Sequence, residues 1–269
     1  MKIILNKTEL QKCIKKQKNL GFVPTMGAIH MGHLSLIKRS IFSCKKTIVS
    51  IYVNKPQFNK ESDFKKYPKD LKKDISILKK TKVNFLYIPN NKQIYPNGPN
   101  KNIKITPFSK KLCGKFRPGH FKAVVDVIKR FNDLIKPKKI FLGKKDMQQI
   151  KIIEDFFQKN KIKTKIVECK TIRESNGIAL SSRNSLLTLK EKKIASLIYK
   201  KISMLKNKIV KKKISIKEIK NIIIKIGISK IDYIEVLDAN NLVKNNKKKN
   251  NYKIFIAYYL GTTRLIDNI

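Results

Sequence analysis

Three histidines occur in this 269-residue chain, and two of them close the run Pro24-Thr25-Met26-Gly27-Ala28-Ile29-His30-Met31-Gly32-His33. Gly27 and Gly32 lack a Cβ, so backbone can approach a phosphate closely at both positions. Backbone N–H groups at the start of a helix are unpaired and attract anions. Two imidazoles beside such a surface can donate hydrogen bonds to phosphate oxygens whose charge grows as a phosphoanhydride breaks. Taken alone, the pattern is equally a polar turn in which His30 and His33 satisfy local groups. Zinc is disfavoured: Cys13, Cys44, Cys113 and Cys169 form no C-x-x-C pair, and no carboxylate lies near the histidines in sequence.

Three other segments carry usable chemistry. Asn54-Lys55-Pro56-Gln57-Phe58 offers amides that can fix a small polar substrate, Gln57 presenting both a donor and an acceptor suited to a hydroxy acid. The same residues make an ordinary polar turn. In Gly143-Lys144-Lys145-Asp146-Met147-Gln148-Gln149 a lysine can neutralise phosphate charge, Asp146 can orient it or hold a ribose or metal, and Gln149 follows about one helical turn on. Asp146 also suits the N-cap of a helix beginning at Met147, a contribution of about 1 kcal/mol. Ala179-Leu180-Ser181-Ser182-Arg183-Asn184 joins two hydroxyls to a fixed cation, a clamp for a polyphosphate leaving group. Serine and asparagine equally mark a helix start.

These residues need a scaffold, and the hydrophobic pattern supplies one. From residue 19 to about 170, short β-branched or aromatic runs alternate with longer amphipathic ones, which is the pattern of a parallel α/β sheet. Strands are predicted over Gly21–Thr25, Thr47–Val53, Val83–Ile88, Lys139–Leu142 and Thr164–Cys169; helices are predicted over His33–Cys44, Lys69–Lys80, Phe121–Lys136 and Met147–Lys159. Ligands of doubly wound sheets gather outside the carboxyl ends of the strands, and the polar segments fall there. Between Asn90 and Gly119 the chain turns to Pro, Gly and Asn, a long excursion over the top of the sheet. Later come helices over Glu191–Leu205 and Ile216–Ile226, then strands over Ile231–Leu237 and Tyr252–Tyr259, with Lys244–Asn251 as a solvated loop between them. The expected architecture is a Rossmann-like doubly wound parallel α/β domain over residues 1–170 and a smaller C-terminal α+β domain over 171–269.

Composition bounds the reading further. The 41% hydrophobic content suffices for a real core. No run of about 18 apolar residues suggests a membrane span, and the N-terminus is too short an apolar run for a signal peptide. Dispersed cysteines without an export signal point to a reducing cytoplasm. The net charge of +45 ordinarily suggests nucleic acid. Yet arginine supplies only six of the 63 basic residues, and the lysines are spread over nearly every segment with abundant Ile and Asn. A dedicated nucleic-acid surface concentrates its basic residues and favours Arg. The charge is therefore read as compositional drift, bringing weak, salt-sensitive adhesion to polyanions and no specific nucleic-acid partner.

Together, Val23 to His33, Val53 to Phe58, Leu112-Cys113-Gly114-Lys115-Phe116-Arg117-Pro118-Gly119-His120-Phe121, Phe141 to Gln149, Leu180 to Asn184 and the closing Arg264-Leu265-Ile266-Asp267-Asn268 closely resemble the pantothenate synthetase family, over essentially the whole chain. The resemblance implies an ATP-dependent condensation of (R)-pantoate with β-alanine through a pantoyl adenylate, releasing pyrophosphate and then AMP. It assigns Met26, Gly27, Ala28, Ile29, His30, Met31, Gly32 and His33 to the ATP site, with His33 as proton donor. Gly143, Lys144, Lys145, Asp146, Leu180, Ser181, Ser182 and Arg183 complete that site, and Ile172 meets adenine through its backbone. Gln57 and Gln149 hold pantoate, and Gln57 also serves β-alanine. Magnesium accompanies ATP, with Asp74 as the one counterpart of the family's proposed ligands. A homodimer, and a C-terminal domain that closes over the active site, are likewise implied by the resemblance.

Elementary chemistry adds one qualification. A carboxylate is already ionised at neutral pH and needs no base to attack phosphorus. His30 and His33, with Lys145 and Arg183, are therefore read as catalytic through stabilising phosphate charge. Several positions depart from the family pattern. Lys144 stands where a glutamate is usual, Pro56 is displaced by one residue, and Ala123 and Asp126 replace a glycine and a threonine. Two alternatives remain: another H-x-G-H nucleotidyltransferase, or a lysine-rich nucleic-acid binder on the same fold.

Overall fold

The structure is a computed structural model that describes residues 1–240, Leu242 and 251–269. It divides into two compact units, Met1–Lys170 and Thr171–Ile269. The predicted loop over Lys244–Asn251 lies outside the described residues except for Asn251.

The first unit is built on six strands: β1 (Lys2–Ile4), β2 (Leu20–Thr25), β3 (Lys46–Ile51), β4 (Phe85–Tyr87), β5 (Lys139–Gly143) and β6 (Lys165–Cys169). All pair in parallel, in the order β1-β4-β3-β2-β5-β6. The central strands β2 and β3 are almost wholly buried, as strands covered on both faces by helices must be. Those helices are α1 (Lys7–Ile14), α2 (Met31–Ser43), α3 (Glu61–Lys66), α4 (Leu71–Lys79), α5 (Asn91–Ile94), α6 (Cys113–Phe116), α7 (His120–Ile135) and α8 (Met147–Lys159). Val23, Ile37, Val49, Leu78 and Phe141, each at most 1% exposed, form part of one layer of the core. Close packing of β2 against α2 requires Gly21, where a Cβ would stand 2.1 Å from Ser40 Oγ.

The winding reverses between β2 and β5, and there the sheet opens. Their pairing ends at Phe22 opposite Ile140. Leu20 turns its carbonyl toward the β5 side, accepting from Lys138 N. Alternation along a strand turns Pro24 to the same side, beyond the last paired residue. Its missing N–H therefore costs no ladder bond, which explains a proline in a central strand. Loops leaving β2 and β5 flank this crevice, the usual ligand position of a doubly wound sheet.

The second unit holds α9 (Leu189–Val210), α10 (Ile216–Lys225) and the antiparallel sheet β7 (Lys230–Asp238), β8 (Tyr252–Leu260) and β9 (Thr263–Asn268). Capping boxes start both helices: Thr188 with Glu191 and Ser215 with Glu218. Ile202, Ile223, Ile254 and Ile256 are fully buried at its centre. No described helix is long and apolar enough to cross a membrane.

The predicted strands and helices recur within a few residues of their expected limits. Six elements escaped the sequence: β1, α1, β9 and the short helices α3, α5 and α6, of four to six residues each. β1 and α1 precede the first recognised strand, β1 being a three-residue edge too short for a pattern. β9 coincides with the closing Arg264–Asn268 motif. One physical expectation is corrected. Asp146 makes no side-chain cap on α8. A 3-10 turn, Lys144–Asp146, leads into that helix. Asp146 therefore has φ −99° and ψ 48° rather than the extended backbone from which a capping side chain reaches back.

Candidate active site

The turn after β2 is shaped by two successive residues in the left-handed region, Gly27 at φ 81° and Ala28 at φ 50°. For alanine that conformation costs about 1–2 kcal/mol. Asp74 of α4 lies beneath it, 2% exposed, accepting from Ala28 N at 2.9 Å and Ile29 N at 2.7 Å. Thr25 Oγ1 donates to Ser50 O at 2.7 Å and accepts from Gly27 N at 3.3 Å.

The histidines then start α2. His30 is its N-cap, its Nδ1 accepting from Gly32 N at 3.1 Å. His33 Nδ1 accepts in return from His30 N at 3.4 Å, so two imidazoles form a reciprocal capping box. The rings stack with centroids 4.0 Å apart. Desolvation and the Lys145 charge lower the pKa of His30 to about 4. Desolvation, His30 and Lys145 lower that of His33 to about 3. Both rings are thus neutral near pH 7. Since each Nδ1 accepts, each proton resides on Nε2. The result is a pair of Nε2–H donors at a helix N-terminus.

Across the crevice, Lys145 follows β5 in the turn Lys144–Asp146. Its side chain, 18% exposed, donates through the ammonium to Asp146 Oδ1 at 3.3 Å, the orienting contact anticipated from sequence. Lys144 pairs instead with Glu168 of β6 at 3.0 Å, where Lys151 also binds at 2.7 Å. A carboxylate on the neighbouring strand thus accommodates Lys144. Gln149 stands half-buried on the first turn of α8. Its neighbour Gln148 is buried and structural, accepting from Cys113 N at 3.1 Å and donating to Lys111 O at 2.8 Å.

Gln57 ends the 3-10 turn Lys55–Gln57 after β3. That turn is closed by Gln57 N to Asn54 O and Phe58 N to Lys55 O, neither bond involving the nitrogen of residue 56, so Pro56 fits. The Gln57 side chain accepts from Asn54 Nδ2 at 3.1 Å and donates to Met26 Sδ at 3.1 Å, joining it to the histidine turn. Asn54 is held by Tyr95 Oη at 2.8 Å. His120 Nδ1 lies 2.8 Å from the Gln57 carbonyl, and Arg117 Nη1 lies 3.3 Å from His120 Nε2. A carbonyl only accepts and a guanidinium only donates, so His120 is the neutral Nδ1–H tautomer. Sequence left His120 without a role; its place in the Arg117–Phe121 segment was the available signal. Ala123 lends its carbonyl to Asn54 at 3.3 Å. Asp126, 3% exposed, binds Arg130 Nε at 2.6 Å and Asn100 N at 2.8 Å. Arg130 donates to Ile94 O and Gly98 O and covers the Tyr95 ring.

In the second unit, Ser181 caps the 3-10 turn Ser182–Leu186 by accepting from Arg183 N at 3.3 Å. Buried Asn184 pins this segment to Glu174 at 2.9 Å and Ala179 O at 3.2 Å. Leu180 N donates to Ile172 O at 2.9 Å. Arg173 makes a two-pronged contact with Asp267 at 2.6 and 2.9 Å, which gives the closing motif a structural role.

Fold and site therefore define a doubly wound α/β enzyme with a histidine-capped helix N-terminus at its switch point. The family model described as pantoate-beta-alanine ligase matches residues 2–269. The pantothenate synthetase of Sulfurihydrogenibium sp. is 37% identical over 282 residues, covering 100% of this chain and 99% of that protein. That of Flavobacterium psychrophilum is 38% identical over 269 residues, with 98% and 95% covered. The crystal structure of the pantothenate synthetase from Thermus thermophilus superposes with a TM-score of 0.91 at 28% identity, covering 100% and 99%. A Francisella tularensis structure, complexed with beta-gamma ATP and beta-alanine, gives 0.86 at 38%, covering 100% and 97%. The chain belongs to the pantoate–β-alanine ligase family. It is a ligase of the pantothenate synthetase type.

Proposed function

We propose that the chain joins (R)-pantoate to β-alanine in two steps on the crevice between β2 and β5. In the first, a carboxylate oxygen of pantoate attacks the α-phosphorus of ATP. The bond from that phosphorus to the bridging oxygen breaks, and pyrophosphate leaves. The Nε2–H groups of His30 and His33 donate to the oxygens that gain charge, and Lys145 neutralises the triphosphate. Removing one such donor typically costs about 100-fold to 1,000-fold in rate. In the second step the β-alanine amine attacks the acyl carbon. The amide C–N bond forms, AMP departs, and the amine loses its proton to solvent.

Gln57 and Gln149 are assigned to pantoate, Gln57 also to β-alanine. Residues 26–33, Gly143–Asp146, the Ile172 backbone and Leu180–Arg183 are assigned to ATP, Arg183 meeting the leaving pyrophosphate. These assignments follow the family resemblance. In this reading residues 1–170 bind ATP and pantoate, and 171–269 form the domain that closes over them. Magnesium enters with ATP, without an assigned protein ligand or step. A cytoplasmic homodimer completes the proposal.

The observation that carries the reading is the stacked, reciprocally capped His30–His33 pair at the start of α2, its rings kept neutral by burial and by the charge of Lys145. Incubation with ATP, magnesium, (R)-pantoate and β-alanine should yield pantothenate and AMP in equal amounts by mass spectrometry. AMP formation without the amide, or with a different amine preferred, would remove β-alanine from the assignment.

A further inference from the structure

Asp74 fits the family's metal assignment poorly. Magnesium prefers octahedral oxygen ligation with several waters and one or two carboxylates facing the phosphates. Asp74 is 2% exposed and offers both oxygens to backbone, Oδ2 to Ala28 N and Oδ1 to Ile29 N.

We infer that Asp74 is a positioning residue, holding the Gly27–Ala28 turn in the shape that presents residues 28–33 to ATP, rather than a ligand for magnesium. The inference rests on ATP binding at that turn. Without a tether, Ala28 at φ 50° would relax toward ordinary backbone. Such relaxation moves Ile29 and the His30 cap, hence both donor Nε2 atoms. A carboxylate suits the task because two neighbouring N–H groups need two acceptors. The fit is tight from the other side too: a Cβ on Gly27 would lie 2.8 Å from Asp74 Oδ2, at a φ of 81° that already disfavours a side chain. Gly27 and Asp74 are therefore complementary parts of one turn. Their sequence separation, 27 against 74, hides this from motif reading.

The two roles differ in what they make magnesium-dependent. Asp74→Asn keeps the size of the side chain but replaces one acceptor with a donor facing an N–H. The full-length chain, Asp74→Asn and Gly27→Ala are titrated with ATP by calorimetry in excess EDTA. The magnesium and β-alanine dependences of turnover are measured alongside. Metal-free ATP affinity should fall at least tenfold in both variants, with half-saturating magnesium and the KM for β-alanine within twofold of the unaltered chain. Unchanged metal-free affinity in Asp74→Asn, with a tenfold rise in the magnesium requirement, would overturn the inference. An equal rise in the β-alanine KM would mark general loss of structure and overturn it as well. Should Asp74→Asn fail to fold, retained metal-free affinity in Gly27→Ala is the contradicting result. If the unaltered chain binds no ATP with or without magnesium, the parent reading of the turn has failed instead.

Discussion

His30 Nδ1 accepts from Gly32 N and His33 Nδ1 accepts from His30 N, so the two imidazoles cap their own helix and stack 4.0 Å apart. In the proposed reaction this relationship ties catalysis to folding. The bonds that start α2 also fix which nitrogen of each ring carries the proton, and they leave both Nε2–H groups for the phosphate contacts proposed above.

A spectroscopic prediction follows from burial and charge. With pKa values lowered to about 4 and 3, His30 and His33 stay neutral where an ordinary imidazole titrates near 6.5. Their Cε1–H resonances should show no inflection between pH 8 and 5, and 15N shifts should report Nε2–H on both. A titration near 6.5 in either ring would contradict the burial and Lys145 charge that keep the pair neutral, and a neutral ring with its proton on Nδ1 would contradict the tautomer assignment. The stability sign is also determined. The unfolded chain takes up these protons first, so the contribution present above pH 6.5 declines as pH falls toward 4.

Substrate discrimination should separate the two glutamines from the histidines. Gln57→Ala removes the amide held between Asn54 and Met26 and should raise the KM for pantoate about tenfold, with ATP affinity within about threefold, as loss of a half-buried hydrogen-bonding group predicts. Gln149→Ala should act in the same direction. Steady-state kinetics in pantoate decides this, and an unchanged pantoate KM in both variants would empty the assigned pocket.

Tyr95 supplies a finer test. Its hydroxyl orients Asn54, which in turn holds Gln57. Tyr95→Phe should preserve the fold and raise the pantoate KM by a factor of about 3–10, the usual worth of a single hydrogen bond. Kinetics identical to the unaltered chain would mean that Asn54 needs no such support.

Asp126 belongs to stability. It is 3% exposed and joined to Arg130, which ties down the excursion at Ile94 and Gly98. Asp126→Ala leaves the partly buried guanidinium without its carboxylate and should lower unfolding free energy by about 3 kcal/mol. Chemical denaturation measures it; a loss under about 0.5 kcal/mol would show that the arginine finds other partners.

Much of this was legible in the chain. The β2 turn announced itself because glycines, histidines and a strand-to-helix change in period coincide within residues 20–37. Lys145 and its contact with Asp146 were readable because sequence neighbours stay spatial neighbours. Asp74, Tyr95 and Asp126 were harder for a common reason. Their partners are mostly backbone groups or side chains far along the chain, and backbone donors leave no mark in sequence. Asp146 misled as a helix cap because residue type alone does not reveal the 3-10 turn before α8.

The central claim, adenylation of pantoate at the histidine turn, is tested most directly by exchange of labelled pyrophosphate into ATP without β-alanine. The unaltered chain should catalyse exchange only when pantoate is present. His33→Ala should remain folded and lose at least about 100-fold of that rate. Exchange independent of pantoate, or a His33→Ala variant that retains most of it, would contradict the account.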